Sequence, residues 1–275
     1  MRHILFSLIL LGTFFGSFSQ SDSLKKKNTQ WYYTWGYTRA IYSKSTIHFR
    51  NNSGPQDVSN GPIKNYDFTL YDVTAADQAD FDKIPDVINI TIPQWVFRIG
   101  YSFNKKWGIE LNYDHTKYVV NDWQRARIKG QINGNYIDGD TILNPYTFLH
   151  YEHTDGANFW MMNAVRRFEF FNPSKNFSAS YVVKPGAGIV FPRTDVTIFG
   201  EHLNNNWIIA GWIVGVETGL RLEFFKHGFF EFVGKGAFAD YRKTLVLGKG
   251  NGSANHKFFA GQLTATMGLK FDSKK

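Results

Sequence analysis

The sequence predicts an all-β protein, an up-and-down antiparallel β-barrel that crosses a membrane on eight strands. Three observations predict it: alternating segments with an aromatic face, links that are short at one end and long at the other, and an N-terminal export signal. Trp31, Tyr33, Trp35 and Tyr37 alternate with Tyr32, Thr34, Gly36 and Thr38. Trp95, Phe97, Ile99, Tyr101 and Phe103 alternate with Val96, Arg98, Gly100 and Ser102, and Trp107, Ile109, Leu111 and Tyr113 with Gly108, Glu110, Asn112 and Asp114. A period of two gives strands with two unlike faces. An aromatic face opposite a face of charges and glycines fits lipid outside and a polar interior.

The N-terminus reads as a secretory signal over residues 1–19. Arg2 precedes an almost wholly apolar run from Ile4 to Phe15, and Ser17 and Ser19 stand at signal-peptidase spacing. Residues 20–29 are polar and expected to be disordered, and 30–275 form the barrel. Eight strands are expected near 30–43, 93–103, 106–121, 157–171, 176–192, 206–225, 228–243 and 256–272. Each exceeds the ~9–11 residues that cross a bilayer at a tilt. Links at 104–105, 172–175 and 226–227 are tight, whereas 44–92, 122–156, 193–205 and 244–255 are long. Short periplasmic turns and long extracellular loops place the chain in the outer membrane of a Gram-negative cell, once the signal is removed. Thr46–Phe49 and Tyr66–Tyr71 also alternate. They are expected to form an extracellular hairpin, with two more spanning strands and a ten-stranded barrel as the alternative. The glycines of the long links, Gly130, Gly134, Gly139, Gly248, Gly250 and Gly252, are expected at loop tips.

The chain holds 31 Lys and Arg against 23 Asp and Glu, and no cysteine. Cysteine chemistry and a disulfide scaffold are thereby excluded. The basic residues are dispersed without a nucleic-acid motif, so nucleic acid is not an expected partner. Outer-membrane lipid and lipopolysaccharide are, and a monomer is expected; no cofactor is called for by any motif.

The inward set is read as Arg98, Glu110, Asn112, Asp114, Ser180, Lys184, Glu217, Arg221, Glu223, Glu231, Lys235, Gln262, Thr264 and Thr266, with Asn158 and Arg166 on the fourth strand. Eight strands leave an interior just wide enough for side chains, so a plugged, salt-bridged lumen is expected, with a narrow pore as the alternative. An aromatic girdle is expected at Trp31, Trp95, Trp107, Phe170, Phe171, Phe224, Phe225, Phe229 and Phe271.

Six histidines map to the extracellular rim: His48, His115, His150, His153, His202 and His256. Two lie in acid-flanked runs, Asp114-His115-Thr116-Lys117-Tyr118 and His150-Tyr151-Glu152-His153-Thr154-Asp155-Gly156. Candidate catalytic residues are therefore His115, His153, Asp114, Glu152 and Asp155, with His48 folding over from the first loop. A carboxylate-oriented imidazole could activate a hydroxyl or water against an outer-leaflet ester. The same residues suit zinc, or calcium if carboxylates dominate, and which metal is left open. The third reading is structural, with the histidines sharing no task.

The runs Ser45–Phe49, Tyr66–Leu70, Pro93-Gln94 with Arg98, Asp114-His115-Thr116-Lys117-Tyr118-Val119 and Glu152-His153-Thr154-Asp155-Gly156 resemble uncharacterised outer-membrane barrel proteins of the Bacteroidetes, over about residues 31–165. The resemblance implies fold and location, and no activity. In architecture the chain is also similar to eight-stranded lipid A palmitoyltransferases and deacylases, though no motif aligns with theirs. The leading expectation is a structural or surface-exposed barrel protein. An outer-leaflet lipid hydrolase or acyltransferase is the alternative, and a narrow pore the third.

Overall fold

The computed structural model describes residues 29–52, 65–77, 94–153, 155–247 and 252–273. The expected signal at 1–19 and all of 20–29 except Thr29 lie outside these residues. Eight strands form the wall: β1 (Gln30–Tyr42), β5 (Trp95–Ser102), β6 (Trp107–Asp114), β11 (Phe159–Ser174), β12 (Phe177–Val190), β15 (Gly211–Phe224), β16 (Gly228–Leu245) and β17 (Ser253–Asp272). Among the described residues, nine shorter strands lie in the long links: β2 (Ser45–Asn52), β3 (Asn65–Val73), β4 (Ala75–Ala76), β7 (Tyr118–Val120), β8 (Arg125–Ile132), β9 (Asn135–Ile142), β10 (Leu149–His153), β13 (Asp195–Ile198) and β14 (Glu201–Asn204).

The wall strands pair antiparallel in the cyclic order β1–β5–β6–β11–β12–β15–β16–β17, and β17 returns to β1 from Gln30↔Asp272 to Tyr42↔Ala260. The ring is closed at eight and leaves no edge in the wall, which lipid requires because it offers no partner to an open backbone.

Side-chain alternation gives the wall two chemistries. Trp31, Tyr33, Trp35, Ile99, Ile109, Leu111, Phe232, Leu263 and Met267 are exposed outward. Two aromatic belts bound this surface. Trp31, Trp107, Phe170, Phe171, Phe225 and Phe271 lie near the short turns. Trp95, Tyr113 and Trp160 pack in sequence at the far end as tilted pairs, with centroids 5.0 and 4.6 Å apart. Phe229 departs from the expected girdle. It is buried, with its ring 3.5 Å from the Arg221 guanidinium carbon, and Phe230 takes the outward position.

The fourth wall strand, β11, also corrects an expectation. Asn158 is buried but adopts a positive φ of 42°, and Phe159 next to it is buried too. That break resets the alternation. Met161, Asn163, Val165 and Arg167 point inward, whereas Arg166 lies outside over the Trp107 ring at 4.5 Å.

The described parts of the long links are built from strands. β2 and β3 form the expected extracellular hairpin and do not join the ring. The hairpin extends a sheet β17–β2–β3–β8–β9. A second sheet runs β1–β4–β7–β10–β13–β14. Their inner faces share one apolar cluster, in which Phe49 of β2 meets Tyr151 of β10 edge-on at 5.3 Å. The barrel therefore carries an extracellular β-structured head. Gly130 and Gly139 lie in its strands, and of the expected loop-tip glycines Gly134 sits at a turn, while Gly248 and Gly250 lie outside the described residues.

Candidate functional site

The lumen holds a charge network that four cations and four carboxylates balance: Arg98, Lys184, Arg221 and Lys235 against Glu110, Asp114, Glu217 and Glu231. All eight are buried. Glu217 is the hub. It accepts from Arg98 Nη2 at 2.9 Å, Asn112 Nδ2 at 2.6 Å and Lys235 Nζ at 2.8 Å. Lys184 Nζ reaches Glu231 at 2.6 Å and Glu110 at 3.0 Å, Arg221 pairs with Glu231 at 3.3 Å, and Lys235 also contacts Asp114. Tyr32 donates to Glu110 at 2.9 Å. Room for its ring comes from Gly100, where a Cβ would lie 2.0 Å from the Tyr32 ring. Buried ions need partners at this density, because a lone ion in a low-dielectric interior is very costly.

Toward the short turns the network ends in Arg167, Glu223 and Lys270. Arg167 donates to Ser102 Oγ at 2.5 Å, and Lys270 contacts Glu223. Below them a vestibule of about 520 Å³ opens, with Arg167, Ser180, Glu223 and Lys270 among its lining. Toward the head the interior turns aromatic. Tyr118, Tyr151, Tyr241 and Phe258 enclose His153 and His256. The interior is therefore lined by paired charges through the wall and by aromatic rings toward the head.

The rim residues expected to assemble do not. His115 lies in a half-buried position between Trp95 and Asn158, whose Oδ1 is 2.9 Å from its Nδ1, and burial holds its pKa below the ordinary histidine range. His153 is instead inside the head, with Nε2 3.2 Å from His256 Nε2 and Nδ1 3.3 Å from Thr194 Oγ1. Burial, then the second imidazole, pushes its pKa well below the usual value, so it is neutral. One neutral imidazole must donate to the other, and a His153 Nδ1–H donating to Thr194 with Nε2 accepting satisfies both contacts. Asp114 is committed to Lys235 in the lumen, and Asp155 to Arg193 at 2.5 Å. Glu152 faces His150 at 3.7 Å, and His48 pairs on the outer surface with Asp67 at 2.7 Å. Of the carboxylates His115 has only the field of Asp155, with no hydrogen bond to it, and among the described residues no carboxylate bonds His153 and no group of three or more metal-ligating side chains is assembled.

The separation has a simple cause. Alternation sends neighbours to opposite faces, and β10 lies in the head, one layer beyond the end of β6. Sequence reasoning missed Asp122, which bonds His150 at 2.8 Å, and Arg193; both sit in links with no periodic signal.

No family model and no curated protein matches the chain in sequence. Among solved structures it is similar to the outer-membrane protein OprG from Pseudomonas aeruginosa, at 11% identity over 90% of this chain and 98% of that one, with a TM-score of 0.38. It is similar also to Ail, the attachment invasion locus protein of Yersinia pestis (10% identity, 89% of this chain and 99% of that one, TM-score 0.32). Neisserial surface protein A gives 10% identity, 89% and 97% coverage and a TM-score of 0.32. The class follows from the ring itself: eight closed strands, an apolar outer wall between aromatic belts and a charged interior make a membrane-spanning β-barrel of the outer-membrane type.

Proposed function

We propose that this chain is a non-conducting outer-membrane barrel whose role is to hold its β-structured head at the cell surface, as a structural or surface-exposed protein. The observation that carries this reading is the balanced, fully buried network centred on Glu217. A pore needs a continuous water path, and eight paired charged side chains crowded into the width of an eight-stranded ring argue against one. The apolar core of the head supports the same reading, since it makes the extracellular part a folded body with its own surface. Planar-bilayer recording tests it. The reconstituted protein is expected to give no steady conductance, while surface biotinylation of intact cells labels lysines of the head such as Lys129. Regular channel steps would overturn the sealed-lumen reading.

A further inference from the structure

On the outer wall, where β15, β16, β17 and β1 lie side by side, a cluster of cations stands directly above an apolar groove. The register sets the rows. Trp212, Asp240 and Lys257 are cross-strand neighbours; the next outward row is Val214, Phe238 and Phe259; the next is Val216, Gly236, Gly261 and Ile41. The groove encloses about 590 Å³. Its floor is glycine: a Cβ on Gly236 would meet nothing within 4 Å. Phe238 and Phe259 form its upper wall, with ring centroids 5.0 Å apart, and Leu263, 75% exposed, stands in the row below.

The cations come from a local irregularity. β16 carries a bulge between Tyr241 and Thr244, where Arg242 and Lys243 both donate their backbone N–H to Ala210 O. Tyr241 and Thr244 point inward, so the two consecutive basic side chains both face out. Re-aiming side chains is what a bulge does. Arg242 and Lys257 then share one carboxylate oxygen of Asp240, at 3.4 and 3.6 Å, while their own side chains remain 68% and 64% exposed. Among the described residues Lys243 has no carboxylate partner. Three cations against one carboxylate leave two positive charges at the depth where the apolar wall begins.

We propose that this is a binding site for a phosphorylated saccharolipid of the outer leaflet, lipopolysaccharide through its lipid A part, with the phosphates on Arg242, Lys243 and Lys257 and one acyl chain in the Gly236–Gly261 groove. Two considerations select this occupant. The site faces the extracellular leaflet, because its cations lie on the side of the head. Its two uncompensated charges match a bis-phosphorylated headgroup better than a phosphodiester, which carries one. The inference rests on the outer-membrane reading.

Native mass spectrometry of the detergent-purified protein, titrated with bis-phosphorylated lipid A, tests it. The wild type is expected to bind one lipid A. The triple variant Arg242→Ala/Lys243→Ala/Lys257→Ala should lose at least tenfold in affinity, and Gly236→Phe, which fills open space, should lose a comparable amount. Arg125→Ala/Arg127→Ala, on the head, should bind like the wild type. Lipid A stripped of phosphate should bind the wild type as weakly as intact lipid A binds the triple variant. Undiminished binding by the triple variant or by Gly236→Phe overturns the site, and phosphatidylglycerol binding as tightly as lipid A overturns the choice of occupant. Heat-modifiable migration of each variant shows that the barrel is folded. A wild type recovered without detergent would refute the outer-membrane reading instead.

Discussion

Replacing Glu217 by Gln keeps the shape of the hub and removes its charge. The carboxylate lies 2.9 Å from Arg98, 2.8 Å from Lys235 and 4.0 Å from Lys184. At an effective dielectric of about 20, one unit pair at such a distance is worth roughly 6 kcal/mol before desolvation. Most of that is offset by the cost of taking the ions out of water, so the pair itself adds little net stability. Removing one member leaves the other uncompensated, and that costs about 3–5 kcal/mol. Here the loss should fall toward the lower part of that range, because Asp114 and Glu110 also face Arg98. Pairing the change with Lys235→Gln restores the balance. The double variant should therefore lose less than the two single losses summed, by a coupling on the order of 1–3 kcal/mol. Reversible urea unfolding in lipid vesicles, followed by tryptophan fluorescence, measures each corner of the cycle. A cost below about 1 kcal/mol for Glu217→Gln, or losses that simply add, would show that the lumen charges are not coupled ions.

Leu111→Arg on the lipid face should cost about 2–4 kcal/mol near the midplane. Asn112→Lys, one residue along and facing the carboxylate of Glu217, should cost less in the same assay, and equal costs would invert the faces. His150 is held protonated by Glu152 and Asp122, which raise its pKa to about 9 despite partial burial. Since the folded value exceeds the ordinary value of about 6.5, its contribution is complete below pH ~6.5 and disappears as the pH rises toward 9. A loss of head stability over that window, absent in His150→Gln, is the expected thermal-melt result, and a flat profile would contradict it. Gly130 has φ +144°, and a Cβ there would lie 2.2 Å from the Asp67 carbonyl oxygen. Gly130→Ala should cost about 1–3 kcal/mol in the head. Proteolysis on intact cells should cleave the β8–β9 hairpin sooner while heat-modifiable migration is unchanged.

The barrel was legible because each wall strand repeats the same signal over many residues, and because alternating link lengths report the ring independently. The lumen followed from parity alone, apart from Arg166 and Arg167, where the positive φ of Asn158 shifts the count by one. Of the head only the β2–β3 hairpin was legible in the links, although a second signal was present. Arg125, Arg127 and Lys129 alternate with Ala126 and Ile128 before Asn133-Gly134, a dipeptide that favours a tight hairpin, and both residues adopt positive φ. The rim cluster failed for a physical reason. Adjacent charged residues in an acid-flanked run face opposite ways in a strand, so proximity in sequence worked against proximity in space.

The same parity argument locates the membrane boundary within single strands. Along β17 the outward residues run Asn255, Lys257, Phe259, Gly261, Leu263, Ala265, Met267, and the inward ones Ala254, His256, Phe258, Ala260, Gln262, Thr264, Thr266. Above Phe259 the outside is polar and the inside apolar, and below Gly261 the two faces exchange character. β16 does the same: Arg242 and Asp240 give way outward to Phe238 and Phe232, while Tyr241, Ala239 and Ala237 give way inward to Lys235 and Glu231. The exchange follows from solvent. Where water is outside, the apolar face must turn in to form a core, and where lipid is outside it must turn out and leave the polar face to pair within. The two strands change over in one row, Phe238↔Phe259 to Gly236↔Gly261, so the boundary is a plane shared between neighbours. Single spin labels at positions 257 and 263 should accordingly differ, the first relaxed by an aqueous quencher and the second by oxygen dissolved in lipid. If both respond to the aqueous agent, the outer edge of the bilayer lies below Leu263, and the cations of Arg242 and Lys257 stand clear of the headgroups.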